Sequence, residues 1–493
     1  MNDLFGTRRQ RRRLPLAAIV SVVFGCAGGF LLWAGFRPAS VKIVAAPTIL
    51  GTSAPIEIRL RSGGAAGLAG FRVSIEDANG HRATLESKDL PSRILLGSGI
   101  REHQASVAVD AAGLDLPEGQ SRILVEATDS SPLALILDLV GRAEAVLTID
   151  RTPPRITLPD PLLNGRRGGS TLAIAEIDAD VVRSAFVRDG VEFPATSIGT
   201  VGGHRLVATL LPIGLDPAAA PTAAAIGFDE AGNRAEAPFD LRVKDAQFPT
   251  EKIIIDQAFV DRKIKPLLLA EGLAVPADPV EAYLRVNRDV RQSSEERLRT
   301  LFAVAGKNAA LAPGKLAITD ALQQPPNTQV GSRFAEARTY LWDGREVDQQ
   351  THLGYDLAST RQAPVPAAQT GRVVFVGPLG IYGLTVVIEH GLGLASLYAH
   401  LSRADVKQGD NIERGAILGT TGESGLAGGD HLHFSTLVHG RHVDALEWWD
   451  PSWVRLHILL PLAAAQTPAT VEVAPPASAV PVDPTDPADK TPG

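Results

Sequence analysis

One apolar residue separates His431 from His433, and this spacing constrains the chain more than any other feature of its sequence. In a strand, residues i and i+2 point to the same face, so both imidazoles enter one groove while Leu432 turns toward a core. Of the chain's eleven histidines, eight lie between 352 and 457. Upstream of the pair stand His352-Leu353-Gly354-Tyr355-Asp356 and Tyr398-Ala399-His400-Leu401. A catalytic zinc site takes three nitrogen or oxygen ligands from the protein and leaves a fourth position open, and two histidines with one carboxylate fill such a site. An isolated His-x-His is equally compatible with a surface pair or with satisfied structural histidines. Three such pieces in order point instead to a metal site.

Taken together, the three pieces resemble the lysostaphin or LytM-type zinc metallopeptidases, which cut peptide bonds in bacterial cell-wall peptidoglycan. The resemblance covers residues 330 to 455 and extends to glycines at 371, 383, 391, 393, 409 and 415. It implies that His352, Asp356 and His433 bind one Zn2+ per chain, with His400 and His431 as catalytic histidines beside the metal. It also implies an antiparallel-β peptidase domain. The chain departs from the family pattern at Ala335, where a glycine is usual, at Asp430 for a proline, at Ser435 for a glutamate, and in a longer loop from Gly422 to Gly429. None of these removes a ligand. His390 and Glu389 close a strand and read as structural, and His439 and His442 flank Gly440-Arg441 in a hairpin expected to be exposed.

At the other end, Arg8, Arg9, Arg11, Arg12 and Arg13 precede an uncharged run of 23 residues, Leu14 to Phe36, closed by Arg37. That length crosses about 30 Å of hydrocarbon. The excess of arginine before the run predicts a single-pass anchor in the cytoplasmic membrane, with residues 1–13 in the cytoplasm and the remainder periplasmic or extracellular. A cleaved signal peptide is the rival reading, but the run exceeds the usual 7–15 residues of such a segment and no small-x-small site follows. Cys26, the only cysteine, lies within the run after bulky Phe24, a poor context for lipidation. The exported part therefore has no disulfide. A net charge of −7 and pI near 5.9 provide no basic footprint for nucleic acid, and that class of partner is set aside.

Between the ends the chain reads as mainly β. Alternation in Ile56–Leu60, Phe71–Ile75 and Ile123–Ala127 predicts one β-sandwich over 41–149, with a type I′ hairpin turn at Asn79-Gly80. A second unit, 150–245, opens with Asp150-Arg151-Thr152-Pro153-Pro154 and ends past Asp229-Glu230-Ala231-Gly232-Asn233, which resembles bacterial immunoglobulin-like repeats. These units are expected to act as a spacer or, alternatively, to bind a wall or protein partner. Residues 250–329 read as a short helical connector, with a capping box at Ser293-x-x-Glu296, serving packing or covering the groove. The tail 463–493, with seven prolines after Gln466, has the composition of a disordered segment.

The sequence thus predicts a membrane-anchored, zinc-dependent endopeptidase acting on peptidoglycan. A non-catalytic LytM-type regulator of other wall hydrolases is the alternative, but such regulators typically lack one or more ligands and this chain lacks none, which argues for catalysis. An adhesin or sensor built on the repeats is a third, weaker reading.

Overall fold

Every second side chain of Ser53–Arg61 is buried from Ile56 onward, and Ile56, Ile58 and Leu60 form one wall of the first core. The computed structural model describes residues 20–26, 28, 38–64, 67–91, 99–130, 137–216, 222–305 and 316–467. In it Ser53–Arg61 lies between Ser40–Ala45 and Glu102–Asp110, and this sheet faces a five-stranded one that includes Leu68–Glu76, Gly119–Asp129 and Val140–Ile149. Val73, Val109, Val125 and Leu147 fill the space between them. The Asn79-Gly80 hairpin is present, but only Gly80 has positive φ (82°). Instead of a two-residue turn, Asp77 Oδ1 accepts from the amides of Asn79 (2.8 Å) and His81 (2.9 Å) and organises a longer loop.

The second unit also has two facing four-stranded sheets, one containing Ser170–Ile177 and His204–Pro212, the other Arg183–Arg188 and Ala223–Phe228. Ala173, Phe186, Val207 and Leu211 make its inner core. Its outer face does not meet water. Leu172, Leu206, Ala208 and Leu210 belong to the same core as Trp448, Val454 and Ile458 of the C-terminal domain. The junction is also polar: Trp448 Nε1 donates to Ser170 Oγ (3.1 Å) and Ser170 N to Glu447 Oε2 (3.0 Å).

The C-terminal domain is built on an eight-stranded sheet. Tyr355–Ala358, Leu432–Val438, Leu394–Leu401, Leu384–Gly391 and Gly371–Pro378 are consecutive neighbours in it. Leu394–Leu401 and Leu432–Val438 are buried along their whole length, because both faces of the sheet are covered. Tyr398 and Phe434 face the core shared with the second sandwich, and Leu397, Ala399 and Leu437 face the connector. Each large apolar side chain so enclosed contributes about 1.5–3 kcal/mol.

The connector is more than a short helix. Thr250–Ile255 pairs in parallel with Glu336–Trp342, itself hairpin partner of Arg345–His352. Two helical stretches follow, residues 257–270 and 279–305, begun by Asp256 and Asp278, whose carboxylates accept from Phe259 N and Val280 N. The second runs unbroken past Ser293, so Ser293-x-x-Glu296 caps nothing. Its buried Leu298 and Phe302 pack with Ile381, Tyr382 and Leu397. Of the uncharged N-terminal run, Val20–Cys26 and Gly28 are helical and the rest lies outside the described residues. Among the described residues no helix is long and apolar enough to cross a membrane. At the other end Leu460–Ala465 is helical, so the first residues assigned to a disordered tail are ordered; 468–493 lie outside the described residues.

Candidate metal centre

Strand pairing brings the candidate ligands together. His352 ends Arg345–His352, Asp356 lies in Tyr355–Ala358, and the antiparallel register sets Asp356 opposite His433. His352 Nε2 lies 3.0 Å from Asp356 Oδ1 and 3.1 Å from His433 Nδ1, which is itself 3.0 Å from Asp356 Oδ1. These are the three metal ligands expected from the sequence, and they form a group able to hold a metal ion.

The other ring nitrogens decide which atoms are free to bind. His352 Nδ1 donates to Arg333 O (3.0 Å), leaving Nε2 with its lone pair. Ser435 Oγ donates to Leu353 O (2.8 Å) and so accepts from His433 Nε2 (3.0 Å), leaving Nδ1 with its lone pair. Three acceptors therefore converge at hydrogen-bond distance with no proton between them when both rings are neutral. A ring proton or a metal ion relieves that arrangement, and two nitrogens plus one carboxylate oxygen are a donor set suited to zinc with an open position. Ser435, a departure from the family pattern, is thus the group that orients a ligand.

The two remaining candidates sit beside this centre. His400 and His431 rings lie 4.9 Å apart, and His400 is 5.7 Å from His433. His400 has φ of 59°, a left-handed conformation unusual for a non-glycine residue, and it redirects the side chain as its strand ends. The 422–429 loop orients both rings: His400 Nδ1 donates to Ser424 O (2.8 Å) and His431 Nδ1 to Gly429 O (2.8 Å). Each then presents Nε2 to the groove, and His431 Nε2 is 3.4 Å from Asp356 Oδ1. Burial raises the Asp356 carboxyl, but the facing histidines outweigh it and hold the group well below the usual carboxylate range. Burial together with His431 and His433 pushes His400 well below its ordinary value. His431 goes the other way: burial lowers it, and Asp356 more than compensates.

Other departures also have local reasons. Ala335 adopts φ of 60°, the conformation for which glycine is the usual residue. Asp430 ties the loop down by accepting from Thr421 Oγ1 (2.6 Å) and Gln362 N (3.1 Å).

Several groups at the centre carried no sequence signal. Arg338 Nη2 bonds Asp356 Oδ2 (3.2 Å), the oxygen turned away from the histidines, and Arg338 Nε bonds Glu336 (2.9 Å). Tyr382 packs its ring against His433 (5.3 Å) and donates to Glu295 Oε1 (2.6 Å) of the connector. The cavity over the metal ligands, about 340 Å³, is walled partly by connector residues, among them Ile253, Phe259, Tyr283 and Arg291. The hairpin expected to be exposed is held between neighbours instead. His442 is 3.2 Å from Glu295, with its side chain 3% exposed. His439 Nε2 lies 2.8 Å from Thr209 Oγ1 of the second sandwich.

Comparison with known proteins agrees on where the site lies. A DD-carboxypeptidase/endopeptidase (Mpg) of Neisseria meningitidis is 39% identical over 93 residues, 19% of this chain and 21% of the relative. Peptidoglycan DD-endopeptidase ShyB of Vibrio cholerae is 36% identical over 119 residues, 24% of this chain and 27% of the relative. Murein hydrolase activator EnvC of Escherichia coli is 34% identical over 95 residues, 19% of this chain and 23% of the relative. The chain spans about a quarter of the length of these relatives. The sequence model of peptidase family M23 matches residues 350–445, so the C-terminal domain, which holds all five candidate site residues, carries an M23 peptidase-family region.

Proposed function

We propose that this chain is a zinc-dependent endopeptidase that hydrolyses peptide bonds in peptidoglycan stem peptides or cross-links. The observation that carries the reading is the convergence of His352 Nε2, Asp356 Oδ1 and His433 Nδ1 as three acceptors within 3.1 Å, inside the region similar to M23 peptidases. A zinc ion held there would polarise the scissile carbonyl and lower the pKa of water from 15.7 to about 7. His400, neutral through burial and with Nδ1–H committed to Ser424 O, offers its Nε2 lone pair as the proton acceptor. His431, whose charged form Asp356 favours, is placed to donate toward the developing oxyanion. Arg338 fixes the Asp356 carboxylate from its far side. The arginine cluster and the uncharged run Leu14–Phe36 support a single-pass anchor, with the N-terminus cytoplasmic and the domains outside. The first sandwich then sets distance from the membrane.

The similarity to an activator of murein hydrolases favours a second reading, in which the domain binds wall enzymes without cutting. Digestion of purified peptidoglycan separates the two. The endopeptidase reading expects soluble peptides to be released by the zinc-loaded chain, release to stop with chelator, and release to return with added zinc. No release by zinc-loaded protein, together with stimulation of a separate hydrolase, would establish the activator instead.

A further inference from the structure

We propose that Arg291, in the connector and outside the M23 region, forms a carboxylate-binding subsite in the wall of the metal-site cavity. The subsite selects substrate peptides with a free carboxylate near the scissile bond. The inference rests on the endopeptidase reading and adds a specificity determinant to it.

Arg291 lines the cavity together with His352, Asp356 and His433. Its guanidinium is clamped by one residue: Nε donates to Asn287 O (3.1 Å) and Nη2 to Asn287 Oδ1 (2.7 Å). Among the described residues no carboxylate lies within ion-pair distance of it. The neighbouring acids are taken by other partners. Asp348 accepts from Asn287 Nδ2 (2.8 Å) and Arg288 Nε (2.9 Å), and Glu295 is held by Tyr382 (2.6 Å) and His442 (3.2 Å). A cation fixed in place beside a cavity, with Glu295 acting on it only from beyond ion-pair distance, is a ready anion site. Planar two-oxygen anions suit its fork best.

Tyr283 lines the same cavity with its ring, while its hydroxyl is turned into the protein beside Tyr340 and shielded from the cavity. Arg338, the other arginine of the wall, is already occupied by Asp356 and Glu336 and does not compete.

The test uses the full chain and cross-linked peptides released from purified peptidoglycan, with carboxylates left free or converted to methylamides. Affinity is measured by titrating metal-stripped protein, and kcat/KM with zinc-loaded protein. A charge-assisted bond of this kind corresponds to about 10–100-fold in affinity. Wild type should prefer the acid by that factor. R291Q should lose the preference and bind the amide as wild type does, and R291K should recover part of it. Retention of the acid preference in a folded R291Q overturns the subsite. If R291Q does not fold, the wild-type arm decides: equal behaviour of acid and amide, whether both bind or neither, overturns it. Cleavage of neither substrate by zinc-loaded protein counts against the endopeptidase reading, whereas cleavage of both without preference counts against the subsite alone.

Discussion

His390 and His433 stand in strands that flank the same central strand, and both are almost fully buried, at 1% and 4% exposure. Burial pushes both imidazoles down to about 4. Their surroundings differ in one respect. His390 is satisfied on both sides: Nδ1 donates to Thr370 O (2.8 Å), and Nε2 lies 2.8 Å from Ser396 Oγ, which is 2.9 Å from the Tyr398 hydroxyl. His433 is satisfied on one side only. Its Nε2 has Ser435, while its Nδ1 meets two further acceptors and no donor. Hydrogen-bond accounting therefore separates a structural histidine from a ligand where burial and pKa do not.

The largest effect that sharpens this contrast is on turnover. His400→Ala and His431→Ala should each keep the metal and lose about 10²–10⁴-fold in rate on purified peptidoglycan, because both reach the groove without joining the ligand set. Near-wild-type turnover in either variant removes that residue from the mechanism. Next is Ser435→Ala, which takes away the partner that fixes the His433 tautomer. A loss of about 10–100-fold in zinc affinity is expected, read by competition with a chelating dye. Unchanged affinity would mean that Ser435 does not orient the ring.

The smallest effect falls on the satisfied cluster. His390→Gln should cost about 1–3 kcal/mol in denaturant unfolding with zinc content unchanged. It should also flatten the acid limb of stability. His390 has a folded pKa of about 4, below its ordinary value of 6.5, so its contribution is complete above 6.5 and is lost as pH falls toward 4. His433 and His439 share that limb, so the slope becomes shallower and does not vanish. A variant that lost zinc instead would erase the distinction between the two clusters.

The ligand set was legible because it is nearly one-dimensional. His352 and Asp356 are four residues apart, His431 and His433 two, and strand pairing needs only to align them. What remained hidden comes from long-range packing. Tyr283 and Arg291 enter the cavity from helices well upstream, with no spacing to tie them to the metal site. His439 and His442 look like an exposed hairpin until the second sandwich and the connector close over them. The docking of that sandwich did leave a trace: Leu206-Val207-Ala208-Thr209-Leu210-Leu211 is continuous where a half-exposed strand would alternate, and continuous apolar runs mark strands buried on both faces. The first sandwich, whose Ile56–Leu60 does alternate, keeps its own core.

The central claim is that three acceptors converge because one ion belongs among them, and titration of the metal-stripped full chain with zinc tests it most directly. The account predicts one tightly bound zinc per wild-type chain, a raised unfolding temperature on binding, and loss of both in His433→Ala. Failure of the wild-type chain to bind zinc, or equally tight binding by a folded His433→Ala variant, would contradict it.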